Sequence, residues 1–172
     1  MKTRNNLTYR IQQFKLAIDP HIQPVQIKEL SPYLNGSQIT FFKKMQPSEQ
    51  RHAFEVLEKL KAEGCDHPDL LRAALLHDVG KILYPLKPWE RAMVVITQQI
   101  APSLTIQLGQ RKPIGFFKAF VVAANHSEWG ADLISKTGAS EILVDLIRNH
   151  ENNPAPDQDH LLSCLQKADD AS

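Results

Sequence analysis

The 172-residue sequence has few cysteines, little net charge and no long apolar run, and each shortage excludes a class of protein. Cys65 and Cys164 form no Cys-x-x-Cys pair, so we expect free thiols with packing roles in a reducing cytoplasm. The formal net charge is +1, which argues against a dedicated DNA- or RNA-binding protein. No apolar run approaches the roughly 20 residues of a membrane span, and no apolar block follows the basic first residues as in a signal peptide. We therefore expect a cytoplasmic protein that binds neither a nucleic-acid polymer nor a membrane.

Alternation of apolar and polar residues, the mark of a strand, is also scarce, whereas most segments repeat apolar residues at helical spacing. Hydrophobic residues make up 42% of the chain and charged residues 23%, as in an ordinary globular protein with one sizeable core. The sequence predicts an all-α fold, a compact single-domain bundle of about eight helices. Among them are helices over residues 7–18, 88–100 and 113–125, with a new helix beginning at Ser127.

The stretch from Leu70 to Lys81 predicts a buried helix with an unusual end. It is apolar nearly all round, as a helix in the centre of a domain is, yet it finishes with the sequence His-Asp-Val-Gly-Lys. We expect Gly80 to take the left-handed conformation that ends the helix, so that His77 and Asp78 point the same way. Lys81 then leaves the helix end, where it can meet an anion. Taken alone, the stretch is equally compatible with a buried helix that has a polar cap.

Further histidines and an aspartate are predicted at the ends or inner faces of other helices. His52 lies on or beside the apolar stripe of its helix, His126 falls at the end of the helix over residues 113–125, and His150 and Asp169 each follow a core leucine by one turn. A single histidine in such a place is more often a hydrogen-bonded core residue than a ligand. Burying such groups without partners costs several kcal/mol each, so a whole set is hard to attribute to packing. Imidazole and carboxylate bind Zn, Mn, Fe, Co or Ni, and the sequence therefore predicts a metal site formed by His52, His77, Asp78, His126, His150 and Asp169.

The combination of His52, the His-Asp-Val-Gly-Lys run at residues 77–81 and Asp169 resembles the H…HD…D signature of the HD superfamily of metal-dependent phosphohydrolases. The resemblance covers about residues 41–172. It implies a domain of the HD type over residues 37–172, preceded by an N-terminal helix and an extended lead-in over residues 1–36.

The segments around His126 and His150 are similar to the two further histidine motifs of the subgroup that binds two metals, which includes cyclic-dinucleotide phosphodiesterases. The sequence departs from the cyclic-di-GMP branch of that subgroup. His150 is a single histidine followed by Glu151, and no Gly-Tyr-Pro segment is present. Those enzymes are therefore distant relatives at best.

The resemblance also implies roles for these residues and one or two divalent ions as cofactors, namely Mn, Fe, Zn, Co, Ni or Mg. Two metals about 3.5–4 Å apart clamp the attacking and leaving oxygens of a phosphoester. Asp78 and Lys81 would be the catalytic residues, and Lys81 and Arg148 would bind the substrate phosphate, with Arg91 and Arg111 as weaker candidates. The first metal would be held by His52, His77, Asp78 and Asp169, and the second by His126 and His150 with Asp78 bridging.

Three functions compete for this sequence. The first is hydrolysis of a nucleotide or another small phosphoester, which suits the near-neutral charge better than a polymeric substrate does. The second is a non-catalytic metal- or nucleotide-binding module for signalling or scaffolding; such relatives usually lose ligands, whereas this chain keeps every ligand position. The third is a purely structural bundle, which does not account for the inward titratable residues. The substrate, the identity and number of the metals and the oligomeric state are left open by the sequence.

Overall fold

The computed structural model describes residues 27–152 and 160–172, and its regular structure there is helical. These residues form nine α-helices and two short 3₁₀ helices, and they contain no strand. The all-α prediction is thereby confirmed. The helix predicted over residues 7–18 lies outside the described residues. Within the described ranges, no helix is long and apolar enough to cross a membrane.

The α-helices are numbered in chain order, and the described residues fall into two units. One unit holds residues 84–124, and the other holds residues 27–83, 125–152 and 160–172. The 3₁₀ helices span Val79–Leu83 and Gly115–Phe117. The α-helices are α1 (Ile27–Leu30), α2 (Gly36–Phe42), α3 (Pro47–Ala62), α4 (Pro68–Leu76), α5 (Pro88–Ile100), α6 (Pro102–Gly109), α7 (Lys118–Ser135), α8 (Glu141–Asn149) and α9 (His160–Asp170).

In the unit of residues 84–124, a buried glutamate fixes the start of α5. The Glu90 carboxylate accepts a hydrogen bond from the backbone N–H of Lys87 at 2.7 Å and forms an ion pair with the Lys118 ammonium at 2.9 Å. Burial alone would raise the pKa of Glu90, but the Lys87 N–H and Lys118 outweigh it, and the pKa lies below its ordinary value. The start of α5 is therefore stabilised by a charged hydrogen bond.

In the second unit, α4 is the central helix and packs against α2, α3, α8 and α9. Its core residues Leu70, Ala73, Leu75 and Leu76 are fully buried, as the apolar sequence of this stretch predicts. Prolines and caps set the ends of the helices around it. Pro68 stands in the first turn of α4, where its missing N–H costs nothing. The polar residues that follow Leu76 are thereby carried into the middle of this unit.

Two local predictions at this point are wrong. Gly80 is not left-handed, because positive φ angles among the described residues occur only at Gly64, Gly115 and Gly138. The helix instead ends at Leu76 and passes into the 3₁₀ helix that contains Gly80. The second error concerns His126, which lies inside the single helix α7 and not at a junction of two helices. Neither proline nor glycine stands between Lys118 and His126, so nothing there breaks the helix.

Candidate metal centre

A close approach between two backbone segments places Asp78 beside His126. A Cβ atom on Gly80 would overlap the carbonyl oxygen of His126 and would lie 2.7 Å from the backbone nitrogen of Gly130. Gly130 is confined less severely, since its own Cβ would come within 3.2 Å of the Gly80 nitrogen. Two glycines thus allow the turn after α4 to lie directly against α7. The consequence is that the Asp78 carboxylate and the His126 ring meet.

The rings of His77 and His150 are oriented so that Nε2 is available to a metal. The Nδ1 atom of His77 lies 3.0 Å from the carbonyl oxygen of Ala74, and that of His150 lies 2.7 Å from the carbonyl oxygen of Ile147. Because a carbonyl only accepts, each Nδ1 carries a proton, and in the neutral ring the lone pair is therefore on Nε2. Both Nε2 atoms are buried without a hydrogen-bond partner among the described residues. Histidine ligands of metals commonly donate their other ring N–H to a carbonyl in this way.

Asp78 is the junction of the site, and its two oxygens face different histidines. Its Oδ1 lies 3.3 Å from Nε2 of His126 and 4.0 Å from Nε2 of His150. Its Oδ2 lies 3.8 Å from Nε2 of His77 and accepts a hydrogen bond from the Lys81 ammonium at 2.6 Å. A carboxylate in this position can serve two donor sets at once.

The first donor set consists of His77 and Asp78 together with His52 from α3 and Asp169 from α9. Nε2 of His52 and Oδ1 of Asp169 are 2.7 Å apart, a hydrogen bond in which the carboxylate accepts. Nε2 of His77 lies 3.6 Å from the same oxygen. A cation that binds there takes the place of the shared proton, since metal ligands bind in their deprotonated forms.

The four imidazole rings form a row that joins the two donor sets. The centroids of His52 and His77 are 5.3 Å apart, those of His77 and His150 are 5.1 Å apart, and those of His150 and His126 are 5.2 Å apart, all edge to face. Apart from His52, these histidines are at most 4% exposed. The row lies between α3, α4, α7 and α8, so four separate helices contribute to one site.

The protonation states of these groups favour a cation. Burial, with smaller contributions from His77 and His126, lowers the pKa of His150 to about 3, so its ring is neutral at pH 7. Burial would raise the pKa of Asp78, but Lys81, His77 and His126 outweigh it and hold that pKa well below its ordinary value. The same balance, with His77 and His52 dominant, lowers the pKa of Asp169. The site therefore presents ionised carboxylates and at least one neutral imidazole.

Two basic groups beside these carboxylates, His52 and Lys81, have raised pKa values. Burial alone would lower the pKa of His52, but its hydrogen bond to Asp169 raises it above the ordinary value. Burial would also lower the pKa of Lys81, yet Asp78 and then Glu49 raise it. The Lys81 ammonium consequently remains protonated beside the Asp78 carboxylate.

These residues fit a divalent metal. Two donors that bind one ion at 2.0–2.2 Å lie about 3–3.6 Å apart, close to the separations between the donor atoms here. Two groups of three donors each have all their ligand atoms within 4.8 Å of one another, and Asp78 belongs to both. The groups are His52 with His77 and Asp78, and Asp78 with His126 and His150.

The structure brings the six predicted ligands and Lys81 together, but it places the other predicted substrate residue differently. The Arg148 guanidinium lies on the surface and binds the carboxylates of Glu128 and Asp145 at 3.1 and 3.2 Å. Its role in substrate binding stays a prediction, as do those of Arg91 and Arg111. The sequence pattern marks Glu151 only as a departure from a motif, yet its Oε1 lies 3.6 Å from Nε2 of His126. Its position directly after His150 is the sequence signal that marks it.

Comparison with known proteins agrees with the geometry. A family model described as HD domain matches residues 50–172, more than half of the chain. A search of curated proteins found no match, and neither did a search of solved structures. The domain boundary predicted between residues 36 and 37 stays a prediction. The buried donors and the family match lead to one conclusion: the chain belongs to the HD-domain family, within the superfamily of metal-dependent phosphohydrolases.

Proposed function

We propose that this protein is a metal-dependent phosphohydrolase that cleaves a phosphoester of a nucleotide or another small molecule in the cytoplasm. The observation that carries the proposal is the pair of buried Nε2 lone pairs, on His77 and His150, that face the Asp78 carboxylate from two sides. Buried nitrogens without a hydrogen-bond partner lower the stability of the fold. A purely structural bundle would have no reason to retain them. The free thiols of Cys65 and Cys164 support the reducing compartment.

Two divalent ions are proposed, each with its own donors and with Asp78 between them. When bound, such ions act as Lewis acids that polarise a phosphoryl oxygen and make water a better nucleophile at neutral pH. Asp78 would orient the two ions relative to each other. The first ion would be held by His52, His77, Asp78 and Asp169, and the second by Asp78, His126 and His150.

Lys81 is proposed to bind the substrate phosphate. Its ammonium lies beside Asp78 and keeps a quarter of its side chain open to solvent, with 25% exposed. From there it can donate a charged hydrogen bond to a phosphoryl oxygen, which is worth about 1.5–3 kcal/mol. The +1 net charge of the chain favours a small anionic substrate over a polymer.

The proposal is tested by metal analysis of the purified protein together with hydrolysis of a generic chromogenic phosphodiester and a nucleotide panel. We expect two metals per chain and metal-dependent hydrolysis in the wild type. Asp78→Ala should lose metal and activity while keeping its helical circular dichroism. A metal-replete wild type without activity on any phosphoester would instead support the non-catalytic binding module.

Single substitutions separate a dinuclear site from a mononuclear one. His126→Ala and His150→Ala should each retain about one metal and lose most hydrolysis, because the first donor set is intact. One metal per chain in a freshly purified and fully active wild type would refute the dinuclear arrangement.

A further inference from the structure

A further carboxylate lies beside the second donor set, which consists of Asp78, His126 and His150. Neither the family signature nor the proposed ligands include it. Oε1 of Glu151 lies 3.6 Å from Nε2 of His126 and 3.8 Å from Nε2 of His150. Oδ1 of Asp78 stands 3.3 and 4.0 Å from the same two nitrogens. The two carboxylates are thus equivalent in their distances to this histidine pair.

We propose that the Glu151 carboxylate is a ligand of the second metal, an inference that rests on the dinuclear site proposed above. The separations of 3.6 and 3.8 Å are at or slightly above the spacing of about 3–3.6 Å between donors that share one ion. Only small movements of a surface side chain are needed to close the difference. With 56% of its side chain exposed, Glu151 is free to make them.

With Glu151 the two donor sets become alike in composition. Each then has two imidazoles, one carboxylate of its own and a share of Asp78, a combination of neutral and anionic donors that suits a divalent transition metal. Asp169 is the carboxylate that would bind only the first metal, and Glu151 would bind only the second.

The charges lead to the same assignment. Without Glu151, the second ion would share its only carboxylate with the first ion, and its remaining donors would be imidazoles. Imidazoles bind a metal in their neutral form and so leave the charge of a cation uncompensated. A second carboxylate lowers the charge of the filled site while Lys81 keeps one cationic group for an anionic substrate.

The test is a calorimetric titration of Mn²⁺ or Co²⁺ into protein that has been stripped with a chelator, with metal counted after gel filtration. We expect two metals in the wild type. In Glu151→Gln, the first metal should bind as in the wild type, and the second should bind at least about tenfold more weakly. The Co²⁺ absorption of the second site should change, because an anionic oxygen donor has been replaced.

A matched control is Glu128→Gln, since Glu128 has the same 56% side-chain exposure and binds Arg148. It should bind both metals with wild-type affinity. If Glu151→Gln also binds both metals as the wild type does, Glu151 is not a ligand, although the proposed function stands. Equal weakening of both metals together with a lower melting temperature would show a structural role and overturn the inference. A wild type that binds no metal would refute the proposed function itself.

Discussion

Gly80→Ala tests whether the site depends on the close approach of the turn after α4 to α7. The φ angle of Gly80 is not positive, so its backbone conformation suits alanine. Intrinsic preference would even favour alanine by about 0.5–1 kcal/mol within a helix. The added Cβ, however, would overlap the carbonyl oxygen of His126, which is backbone and cannot turn aside as a side chain does. The steric overlap therefore outweighs the intrinsic preference, and we expect Gly80→Ala to lower the free energy of unfolding.

The expected loss of stability depends on how far the turn after α4 must move away from α7. An ordinary contact of a Cβ atom is 3.4 Å or more, so relief of this overlap requires a backbone shift. Overpacking of this kind costs about 1–3 kcal/mol, and for a chain of this size each kcal/mol lowers the melting temperature by about 2–4 °C. The same shift moves Asp78 away from His126, so the second metal should also bind more weakly.

The chain provides a graded series for this measurement by urea and thermal unfolding. Gly36→Ala adds a Cβ with nothing within 4 Å and should be neutral or slightly stabilising. The Cβ added in Gly130→Ala meets the Gly80 nitrogen and the Ile147 side chain at 3.2 Å. The stability of this variant should lie between those of Gly36→Ala and Gly80→Ala. A Gly80→Ala protein as stable as Gly36→Ala, with two metals bound, would refute the close approach and the positioning role we derive from it.

Three further perturbations probe separate parts of the protein. Lys81→Ala should retain its metals yet lose the equivalent of about 1.5–3 kcal/mol in turnover or substrate affinity; loss of metal would show that Lys81 holds the site and not the substrate. Glu90→Gln should lower the free energy of unfolding by about 1–3 kcal/mol at neutral pH. Because the pKa of Glu90 is lowered on folding, its contribution is present above about pH 4.5 and disappears as the pH falls through the folded-state pKa, so wild type and variant should converge in acid. Cys164 is buried, and burial, with the Cys65 thiol 3.1 Å away, raises its pKa to about 11; mass spectrometry of partly alkylated protein should find Cys65 modified first, and the reverse order would contradict this assignment.

Helical periodicity and apolar content sufficed to predict the all-α fold and the central position of α4, because both follow from the residues of single segments. The inward placement of the predicted ligands follows from the same kind of pattern. Histidines and aspartates that follow core leucines by one turn must project from an apolar face. The sequence could not show that His126 lies within one continuous helix, because the polar residues 125–127 resemble a helix end. His126 faces the site instead, as its contacts with Asp78 and His150 show.

The conformation of Gly80 was predicted wrongly for a related reason. A glycine after a helix most often supplies a left-handed cap, and a local pattern contains no information about a second segment far along the chain. Here the glycine is required by the backbone of His126, 46 positions later in the numbering of the chain. The contact of Glu151 with the histidine pair is likewise tertiary, and adjacency to His150 alone could not distinguish it from an ordinary surface carboxylate.

The distribution of satisfied and unsatisfied groups shows where the site carries a cost. His52 and Asp169 satisfy each other, and so do Asp78 and Lys81, so these four groups lose little in the metal-free protein. His77 and His150 differ, because their Nδ1 protons are bound to carbonyls while their Nε2 lone pairs are buried. Each unsatisfied buried acceptor costs about 1–3 kcal/mol, and an apolar side chain in either place would avoid that cost. Since binding to the folded state alone stabilises a protein by about 2.7 kcal/mol at a hundredfold excess over Kd, a cation at these two nitrogens offsets the penalty. The stability of the fold and the occupancy of the site are therefore coupled through His77 and His150.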